Sequence, residues 1–166
     1  MNKPPIRVLF FCLGNICRSP LAEALFRHHV RQRGLADEFE IASAGTSGYH
    51  VGEPPDPGSV RVARERLQLD ISDQRAQQLD PSHLRDYDYL VAMDRSNLQN
   101  AEQLDGASEA ALLLFRDFEP ISETRGADVP DPWGGGPSHF EDVYDIVDRC
   151  AEAFLDYVSQ REGIDP

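Results

Sequence analysis

Apolar and polar positions along this chain fall into blocks that predict strands and helices in alternation. Residues 6–11 are apolar on both faces, which is typical of a buried parallel strand. Residues 39–42 and 89–93 predict two further strands, and residues 111–115 predict a fourth, although this last apolar run also fits a helix. Strands that alternate with helices indicate an α/β fold with a parallel sheet covered on both faces.

Helical periodicity fills the intervals between these strands. The first helix is predicted to begin near Pro20, because proline is tolerated in a first turn, and to stop at Gly34. Apolar spacing predicts a second helix that includes residues 60–67 and ends near residue 69, and a third over residues 96–104. Residues 126–138 are rich in glycine and proline, which predicts a long surface loop, and a long amphipathic helix is predicted after it.

The composition limits the classes of function. The chain has 166 residues and no repeat or interdomain linker, which predicts a single domain over residues 1–166. The formal net charge of −13 disfavours binding to nucleic acid and to anionic membrane surfaces. No apolar run approaches the roughly 20 residues of a membrane span, and the sequence opens without a signal-like segment, which predicts a cytoplasmic protein. The three cysteines lack metal-ligand spacing, so neither a metal, another cofactor nor a disulfide framework is predicted.

The segment between the first strand and the first helix carries the strongest chemical signal. Its residues are Cys12, Leu13, Gly14, Asn15, Ile16, Cys17, Arg18 and Ser19. Backbone N–H groups of such a loop, and of the helix that follows, converge on an anion, and the helix dipole favours it. Gly14 gives the loop conformational freedom, and Asn15 tolerates left-handed geometry. Arg18 offers a planar fork to two phosphate oxygens, so the segment is predicted to bind phosphate.

Cys12 opens this loop and is the predicted nucleophile. The same N–H groups and Arg18 favour its thiolate over the neutral thiol, and the hydroxyl of Ser19 can donate to the sulfur. Thiolate attack on a phosphate monoester expels an oxyanion that needs a proton, and Asp131 is the predicted donor. Asp131 lies beside Trp133, whose ring offers an aromatic wall to the leaving group. Asp131 is then expected to return as the general base that activates water.

Three strand ends are predicted to converge on one site. Cys12, Ser43 and Asp94 each lie at the end of an apolar strand, and ligands of parallel sheets bind at the carboxyl ends of the strands. Asp94 also precedes a predicted helix, so a helix cap is an equally good interpretation of this residue.

Other residues have a structural interpretation beside a chemical one. Cys17 fits a small core residue, but it also fits a thiol that forms a reversible disulfide with Cys12 and protects it from overoxidation. Cys150 lies on the apolar face of the last predicted helix, which indicates a core position. His50 and His139 have no partner visible in the sequence, so surface positions are predicted for both.

These residues resemble those of the low-molecular-weight protein tyrosine phosphatases over most of the chain. Beside the loop at residues 12–19, the family's order of motifs is matched by residues 43–46, 51–54, 93–94 and 131–132. The resemblance implies a four-stranded parallel twisted sheet with helices on both faces and the phosphate loop between the first strand and the first helix. It also implies metal-free hydrolysis of phosphotyrosine through a phosphocysteine intermediate, with phosphotyrosine-containing proteins as substrates and phosphate or other oxyanions as inhibitors.

The resemblance also implies a role for individual residues. Cys12 is the nucleophile, Arg18 the phosphate clamp and Asp131 the general acid and base. The residues that brace the loop are Asn15, Ser43 and Ser19. The substrate-binding residues are Leu13, Gly14, Asn15, Ile16, Cys17, Ser19, Tyr49 and Trp133. Tyr49 falls where the family often has a tryptophan that lines the cleft.

One difference from a group of relatives bears on selectivity, and two departures from the family pattern bear on the bracing of the loop and on regulation. Relatives that hydrolyse phosphoarginine carry threonine at the position of Ile16, so Ile16 favours phosphotyrosine. Gln74 and Gln77 stand where the family commonly has histidine and arginine, which predicts bracing that is either weaker or made by amide hydrogen bonds. Glycines at 134–136 follow Trp133 where many relatives have a second aromatic residue, so regulation through a second tyrosine is not expected.

Two other functions fit part of the pattern. An arsenate reductase is built on a similar loop but needs resolving thiols that reach Cys12, and only Cys17 is near it in sequence. A module that binds phosphopeptides without turnover has no need of Cys12, Arg18 and Asp131 together. The sequence therefore favours a phosphotyrosine phosphatase over both alternatives.

Overall fold

The computed structural model describes residues 3–104 and 110–164 and contains a four-stranded sheet. Its strands are β1 (Ile6–Cys12), β2 (Phe39–Gly45), β3 (Tyr89–Ala92) and β4 (Ala111–Leu114). Their order across the sheet is β2-β1-β3-β4, and each neighbouring pair is parallel. The predicted parallel α/β architecture is confirmed, and the apolar run after residue 110 forms a strand rather than a helix.

Helices accompany the strands in the described part of the chain. They are α1 (Arg18–Gln32), α2 (Pro57–Leu67), α3 (Pro81–Asp86), α4 (Arg95–Glu102) and α5 (Pro137–Glu162). The sequence prediction lacks α3, because six residues are too few for apolar periodicity. Its start does carry a signal, since Asp80 accepts from Ser82 N at 2.8 Å and Pro81 follows the cap. Within residues 3–104 and 110–164, no helix has both the length and the apolar character needed to cross a bilayer.

The two faces of β1 explain its uninterrupted apolar sequence. Val8 and Phe10 pack with residues of α1, α2 and α5, whereas Leu9 and Phe11 belong to a second cluster that includes residues of α3 and α4. All four side chains are fully buried. Because β1 also pairs with a strand on each side, helices cover both faces of the sheet around its centre, as predicted.

α5 packs against α1 and against one face of the sheet. Its Phe154 contacts Phe10, Phe26 and Phe115 at ring-centroid distances of 6.1, 5.5 and 6.3 Å. The helix begins at Pro137, inside the stretch that the sequence pattern assigned to a loop, because proline at the first helical position loses no internal hydrogen bond. The aromatic cluster fixes the strand that leads into the phosphate loop.

β2 extends past its predicted end to Gly45 and so reaches the phosphate loop. Its register places Ser43 opposite Phe10 and Gly45 opposite Cys12. A Cβ at Gly45 would lie 2.7 Å from the carbonyl oxygen of Leu13, a contact that side chains do not tolerate. Glycine at this position therefore allows the loop and the end of β2 to pack backbone against backbone.

Candidate active site

The phosphate loop joins the end of β1 to the start of α1. Two backbone hydrogen bonds hold it against the segment after β2, from Thr46 N to Cys12 O at 2.8 Å and from Ser47 N to Leu13 O at 2.9 Å. Asn15 adopts a left-handed backbone with φ of 58°, which its short polar side chain tolerates. The loop therefore closes at the carboxyl edge of the sheet, where the strand ends were predicted to meet.

The thiol of Cys12 lies at the base of this loop and is buried. Its Sγ lies 3.1 Å from Oγ of Ser19. Ser19 Oγ accepts a hydrogen bond from Asn15 Nδ2 at 2.8 Å, so the hydroxyl keeps its own hydrogen for another acceptor. The alternative acceptor, the carbonyl of Ala44, is 3.4 Å away. Asn15 therefore leaves the hydrogen of Ser19 free, and the sulfur of Cys12 is the nearer of its two acceptors.

A set of side chains braces Asn15 against β2. Asn15 Nδ2 donates to Ser43 Oγ at 3.0 Å, and Ser43 Oγ donates to Glu23 Oε1 at 2.8 Å. The amide of Gln77 donates from Nε2 to the carbonyl of Ser43 at 2.9 Å, and Gln74 reaches the backbone of α1 at 3.3 Å. Of the two alternatives predicted for this side of the loop, the structure has amide hydrogen bonds.

The guanidinium of Arg18 is buried and is anchored through one nitrogen. Nη1 donates to Asp94 Oδ2 at 2.7 Å and to the carbonyl of Val129 at 3.0 Å. Nη2 lies 3.7 Å from Asp131 Oδ2, and Nε has no hydrogen-bond partner among the residues that the structure describes. Burial opposes the charge of Arg18, but Cys12, Asp94 and Asp131 outweigh burial and raise its pKa. The guanidinium is therefore a permanent cation beside Cys12.

Asp94 is both a helix cap and a residue of the site, the two interpretations that the sequence leaves open. Its Oδ1 accepts from the backbone N of Asn97 at 2.7 Å and caps α4, while Oδ2 receives Arg18. The side chain of Asn97 accepts in return from Asp94 N at 3.2 Å, which completes a capping box. Because both carboxylate oxygens are engaged, the start of α4 holds the position of Arg18.

Asp131 lies in the loop before α5. This loop is anchored at Val129 and exposed at Asp131 and Trp133. The anchor is Val129, whose N donates to the carbonyl of Met93 at 2.9 Å. Asp131 Oδ1 accepts from the backbone N of Trp133 at 3.0 Å. The side chain of Asp131 is 46% exposed, so it can reach a leaving group at the solvent side of the site.

A cleft of about 200 Å³ opens at this edge of the sheet. It is lined by Cys12, Leu13, Gly14, Ile16, Cys17, Arg18, Ser47, Tyr49, His50, Asp131 and Trp133. The three predicted catalytic residues thus share one cleft with the two predicted aromatic residues. Asn15 and Ser19, which the resemblance also placed among the substrate-binding residues, do not line the cleft. Their side chains act on the loop from behind.

His50 lies partly exposed at the surface and lines the cleft, a place that the sequence does not indicate. A Cβ at Gly14 would lie only 2.9 Å from His50 Cδ2, which shows how closely the imidazole covers the loop. Nδ1 of His50 pairs with Oε2 of Glu53 at 2.8 Å. The three-residue spacing of His50 and Glu53 was the available signal, but the sequence does not show that this turn folds over residue 14. Ser47 joins the cleft in the same way.

The other two cysteines are free and buried. Burial raises the pKa of Cys17, and the negative charges of Asp56 and Asp131 raise it further. Burial also raises the pKa of Cys150 to about 12, and this residue lies in the core on α5, as predicted. Both environments disfavour the thiolate, which is the reactive form of cysteine. The structure therefore favours the core interpretation of Cys17 and offers no activated resolving thiol among the described cysteines.

Comparison with known proteins decides the family. Residues 7–163 match the family described as low molecular weight phosphotyrosine protein phosphatase. The chain belongs to the low-molecular-weight protein tyrosine phosphatases. Membership of this family confirms the prediction of a cysteine-dependent protein-tyrosine phosphatase, with Cys12 and Arg18 at the ends of the family's Cys-x5-Arg motif.

Individual low-molecular-weight phosphatases align with nearly the whole chain. Low molecular weight protein-tyrosine phosphatase A of Mycobacterium tuberculosis is 40% identical over 157 residues, which cover 95% of this chain and 94% of that protein. Low molecular weight phosphotyrosine protein phosphatase of Saccharomyces cerevisiae is 38% identical, with coverages of 93% and 96%. The crystal structure of YfkJ from Bacillus subtilis superposes with a TM-score of 0.88 at 33% identity and covers 98% of this chain and 99% of that chain.

Proposed function

We propose that this phosphatase hydrolyses phosphotyrosine in proteins, with Cys12 as the nucleophile, Arg18 as the phosphate clamp and Asp131 as the general acid and base. The arrangement of Arg18 carries the proposal. Because Nη1 is committed to Asp94 and Val129, the edge formed by Nε and Nη2 offers two parallel donors that fit two phosphate oxygens. Since these anchors are already in place, the clamp needs little reorganisation when phosphate binds.

In the first step the thiolate of Cys12 attacks phosphorus, so a sulfur–phosphorus bond forms while the bond from phosphorus to the tyrosyl oxygen breaks. The departing oxygen takes the proton of Asp131, and tyrosine leaves as a neutral phenol. The position of Asp131 in the same cleft as Cys12, half exposed to solvent, supports this role. Arg18 and the N-terminus of α1 stabilise the charge on the phosphoryl oxygens.

In the second step a water molecule attacks the phosphocysteine, and the carboxylate of Asp131 takes a proton from it. A phosphorus–oxygen bond forms, the sulfur–phosphorus bond breaks, and inorganic phosphate leaves with Cys12 again as a thiolate. The hydroxyl of Ser19, 3.1 Å from the sulfur, supports this step because a hydrogen-bonded thiolate is a better leaving group.

The depth of the cleft supports an aryl phosphate as the substrate. Cys12 is 2% exposed, whereas the side chains of Tyr49 and Trp133 at the entrance are 85% and 65% exposed. The ring of phosphotyrosine can span this depth and contact both aromatic side chains, at about 1 kcal/mol for each aromatic pair. Phosphoserine lacks a ring to bridge the buried sulfur and the entrance. Inorganic phosphate and other tetrahedral oxyanions are expected to compete, because they meet the same donors.

The test is hydrolysis of p-nitrophenyl phosphate in EDTA by the wild type and by Cys12→Ser. We expect metal-independent turnover in the wild type and a loss of about four orders of magnitude or more in the variant. Phosphate binding by Cys12→Ser should remain, which shows that the loop is intact. Near-native turnover by the variant would contradict the assignment of Cys12. Thioredoxin-coupled reduction of arsenate by a wild type that lacks phosphatase activity would favour the reductase instead.

We also propose that the chain is a single domain over residues 1–166, that the protein is cytoplasmic, and that Ile16 makes the enzyme favour phosphotyrosine over phosphoarginine.

A further inference from the structure

Gln77 lies in the loop before α3, outside the cleft. It contacts both parts of the hydrogen-bonded brace, which consists of Asn15 in the phosphate loop and Ser43 in β2. Its backbone N donates to Asn15 Oδ1 at 3.0 Å, and its carbonyl accepts from Gly45 N at 2.8 Å. Its side-chain Nε2 donates to the carbonyl of Ser43 at 2.9 Å. One residue thus binds the phosphate loop and the end of β2 together.

The hydrogen bonds of Asn15 make the phosphate loop depend on the position of Gln77 and Ser43. Its side-chain nitrogen donates to Ser19 at 2.8 Å and to Ser43 at 3.0 Å, while its oxygen accepts from Gln77. With both amide hydrogens and the oxygen engaged, one orientation of the side chain satisfies all three bonds. That orientation leaves the hydroxyl hydrogen of Ser19 free for the sulfur of Cys12, which is 3.1 Å away.

We propose that the side-chain amide of Gln77 is a positioning group that sets the reactivity of Cys12 through Ser43 and Asn15. The inference rests on the proposed function of Cys12 as the nucleophile. By holding the carbonyl of Ser43, the amide keeps Ser43 Oγ within reach of Asn15. When this bond is removed, Ser43 shifts, Asn15 loses an anchor, and Ser19 no longer holds its hydrogen on the sulfur, so the thiolate is less stabilised.

The neighbouring side chains do not duplicate this contact. Glu23 accepts from Ser43 Oγ and pairs with Arg27 at 2.9 Å, so it acts on the hydroxyl rather than on the carbonyl. Gln74 donates to the backbone of α1. Among the described contacts, Gln77 is therefore the side chain that donates to the carbonyl of Ser43.

The charged and titratable groups around Cys12 come from other elements. They are Arg18 from α1, Tyr49 and His50 from the loop after β2, Asp131 from the loop before α5, and Cys17 from the phosphate loop itself. None of the hydrogen bonds described for Gln77 involves these side chains. A change at Gln77 that adds no charge therefore leaves their electrostatic effect in place, and any change in the pH dependence of Cys12 reports on the hydrogen-bonded brace.

The decisive variant is Gln77→Met, which keeps the length of the side chain but removes the donor. We expect kcat for p-nitrophenyl phosphate to fall about fivefold, as for the loss of one neutral hydrogen bond. The acid limb of the profile of kcat/KM against pH should move to higher pH. Iodoacetamide labelling of Cys12, located by mass spectrometry in phosphate-free enzyme, should slow most at acid pH. Gln77→Lys restores a donor but also adds a positive charge, so only its kcat on the plateau of the pH profile is compared, and this value should recover most of the wild-type rate.

The matched control is Gln78→Met, because Gln78 lies next in the same loop and its Nε2 donates to the carbonyl of Thr46, at 3.4 Å, rather than to Ser43. Its rates should stay within about twofold of the wild type, as for an ordinary surface substitution. Wild-type rates and labelling in Gln77→Met would overturn the proposal. So would a loss of rate with an unchanged pH profile and a lower Tm, or an equal loss in Gln77→Lys. Turnover that persists in Cys12→Ser would instead overturn the proposed function, and that comparison is made separately.

Discussion

The floor and the rim of the cleft are built in different ways. The floor consists of Cys12 and Arg18 together with Asn15 and Ser19, which support the loop from behind, and none of the four is more than 3% exposed. The rim consists of Tyr49 and Trp133, whose side chains are mostly exposed. Buried polar groups need hydrogen-bond partners, so each floor residue is tied to elements that are distant in sequence. The rim residues lie on loops and depend much less on their neighbours.

This difference indicates how far a substitution will propagate. A change in the floor leaves a buried donor or acceptor without its partner and disturbs the reacting groups through the remaining bonds. A change in the rim removes a contact with the substrate and leaves the floor intact. Asp131 belongs to both regions, because one carboxylate oxygen faces Arg18 and the other binds the backbone of Trp133.

The largest effect expected after loss of the nucleophile is at Asp131, where floor and rim meet. Asp131→Asn removes the proton donor, so hydrolysis of aryl phosphates with poor leaving groups should slow by about two to three orders of magnitude. Substrates with good leaving groups should slow much less, because they need little protonation. The measurement is kcat across a series of substituted phenyl phosphates, with Asp128→Asn in the same loop as the control. Equal slowing across the series would exclude Asp131 as the donor.

The next effect tests the anchoring of the floor. Asp94→Asn keeps a good cap for α4 but loses the ion pair with Arg18. We expect kcat/KM to fall about tenfold, as for the loss of a charge-assisted hydrogen bond, and inhibition by inorganic phosphate to weaken in parallel. Asp80→Asn is the matched control, because Asp80 also caps a helix but is absent from the contacts of Arg18. A similar loss in both variants would mean that Asp94 acts only through the cap.

A smaller effect is expected at the rim. Trp133→Ala should raise KM for a phosphotyrosine peptide about fivefold and change kcat less, because the lost contact is with the substrate ring. Ile121→Ala removes another exposed apolar side chain away from the cleft and should leave both constants unchanged. A fall in kcat that exceeds the rise in KM would contradict a role of the Trp133 side chain in substrate binding alone.

The smallest effect concerns substrate selectivity at Ile16, which lines the cleft. Ile16→Thr should raise the ratio of phosphoarginine to phosphotyrosine hydrolysis by roughly threefold, since the exchange of one ethyl group for a hydroxyl in a largely apolar pocket discriminates weakly. Ile16→Val keeps an apolar branched side chain and should preserve the wild-type ratio. The ratio of kcat/KM for the two substrates is the measurement. An unchanged ratio in Ile16→Thr would remove Ile16 as a determinant of selectivity.

Local signals predicted most of the fold. The apolar strand before Cys12 and the long amphipathic helix at the end are visible because their side-chain periodicity is strong. The short α3 is absent from the prediction, and residues 111–114 were ambiguous, because four to six residues carry too little periodicity to separate a strand from a helix. The start of α5 at Pro137 depended on a cap and a proline rather than on apolar spacing.

The chemistry of the site was equally visible, because the spacing of Cys12 and Arg18 is local to one loop. The hydrogen-bond partners of Cys12 and Arg18 were not visible in the sequence. His50 was placed on the surface, since no sequence pattern shows that its turn folds over the phosphate loop. The sequence allows either weak bracing or amide hydrogen bonds at Gln77, because an amide side chain donates or accepts according to the group opposite it.

The sequence by itself determined the order of strands and helices, the loop that binds phosphate, and the types of group that react. Only the tertiary structure decided how those groups are held. Arg18 is anchored by Asp94 and Val129, which are 76 and 111 residues away, and Asn15 by Gln77, which is 62 residues away. Local conformation follows from steric and hydrogen-bonding preferences of neighbouring residues. Contacts across such separations follow from the packing of the whole sheet, which brings the carboxyl ends of its strands to one edge.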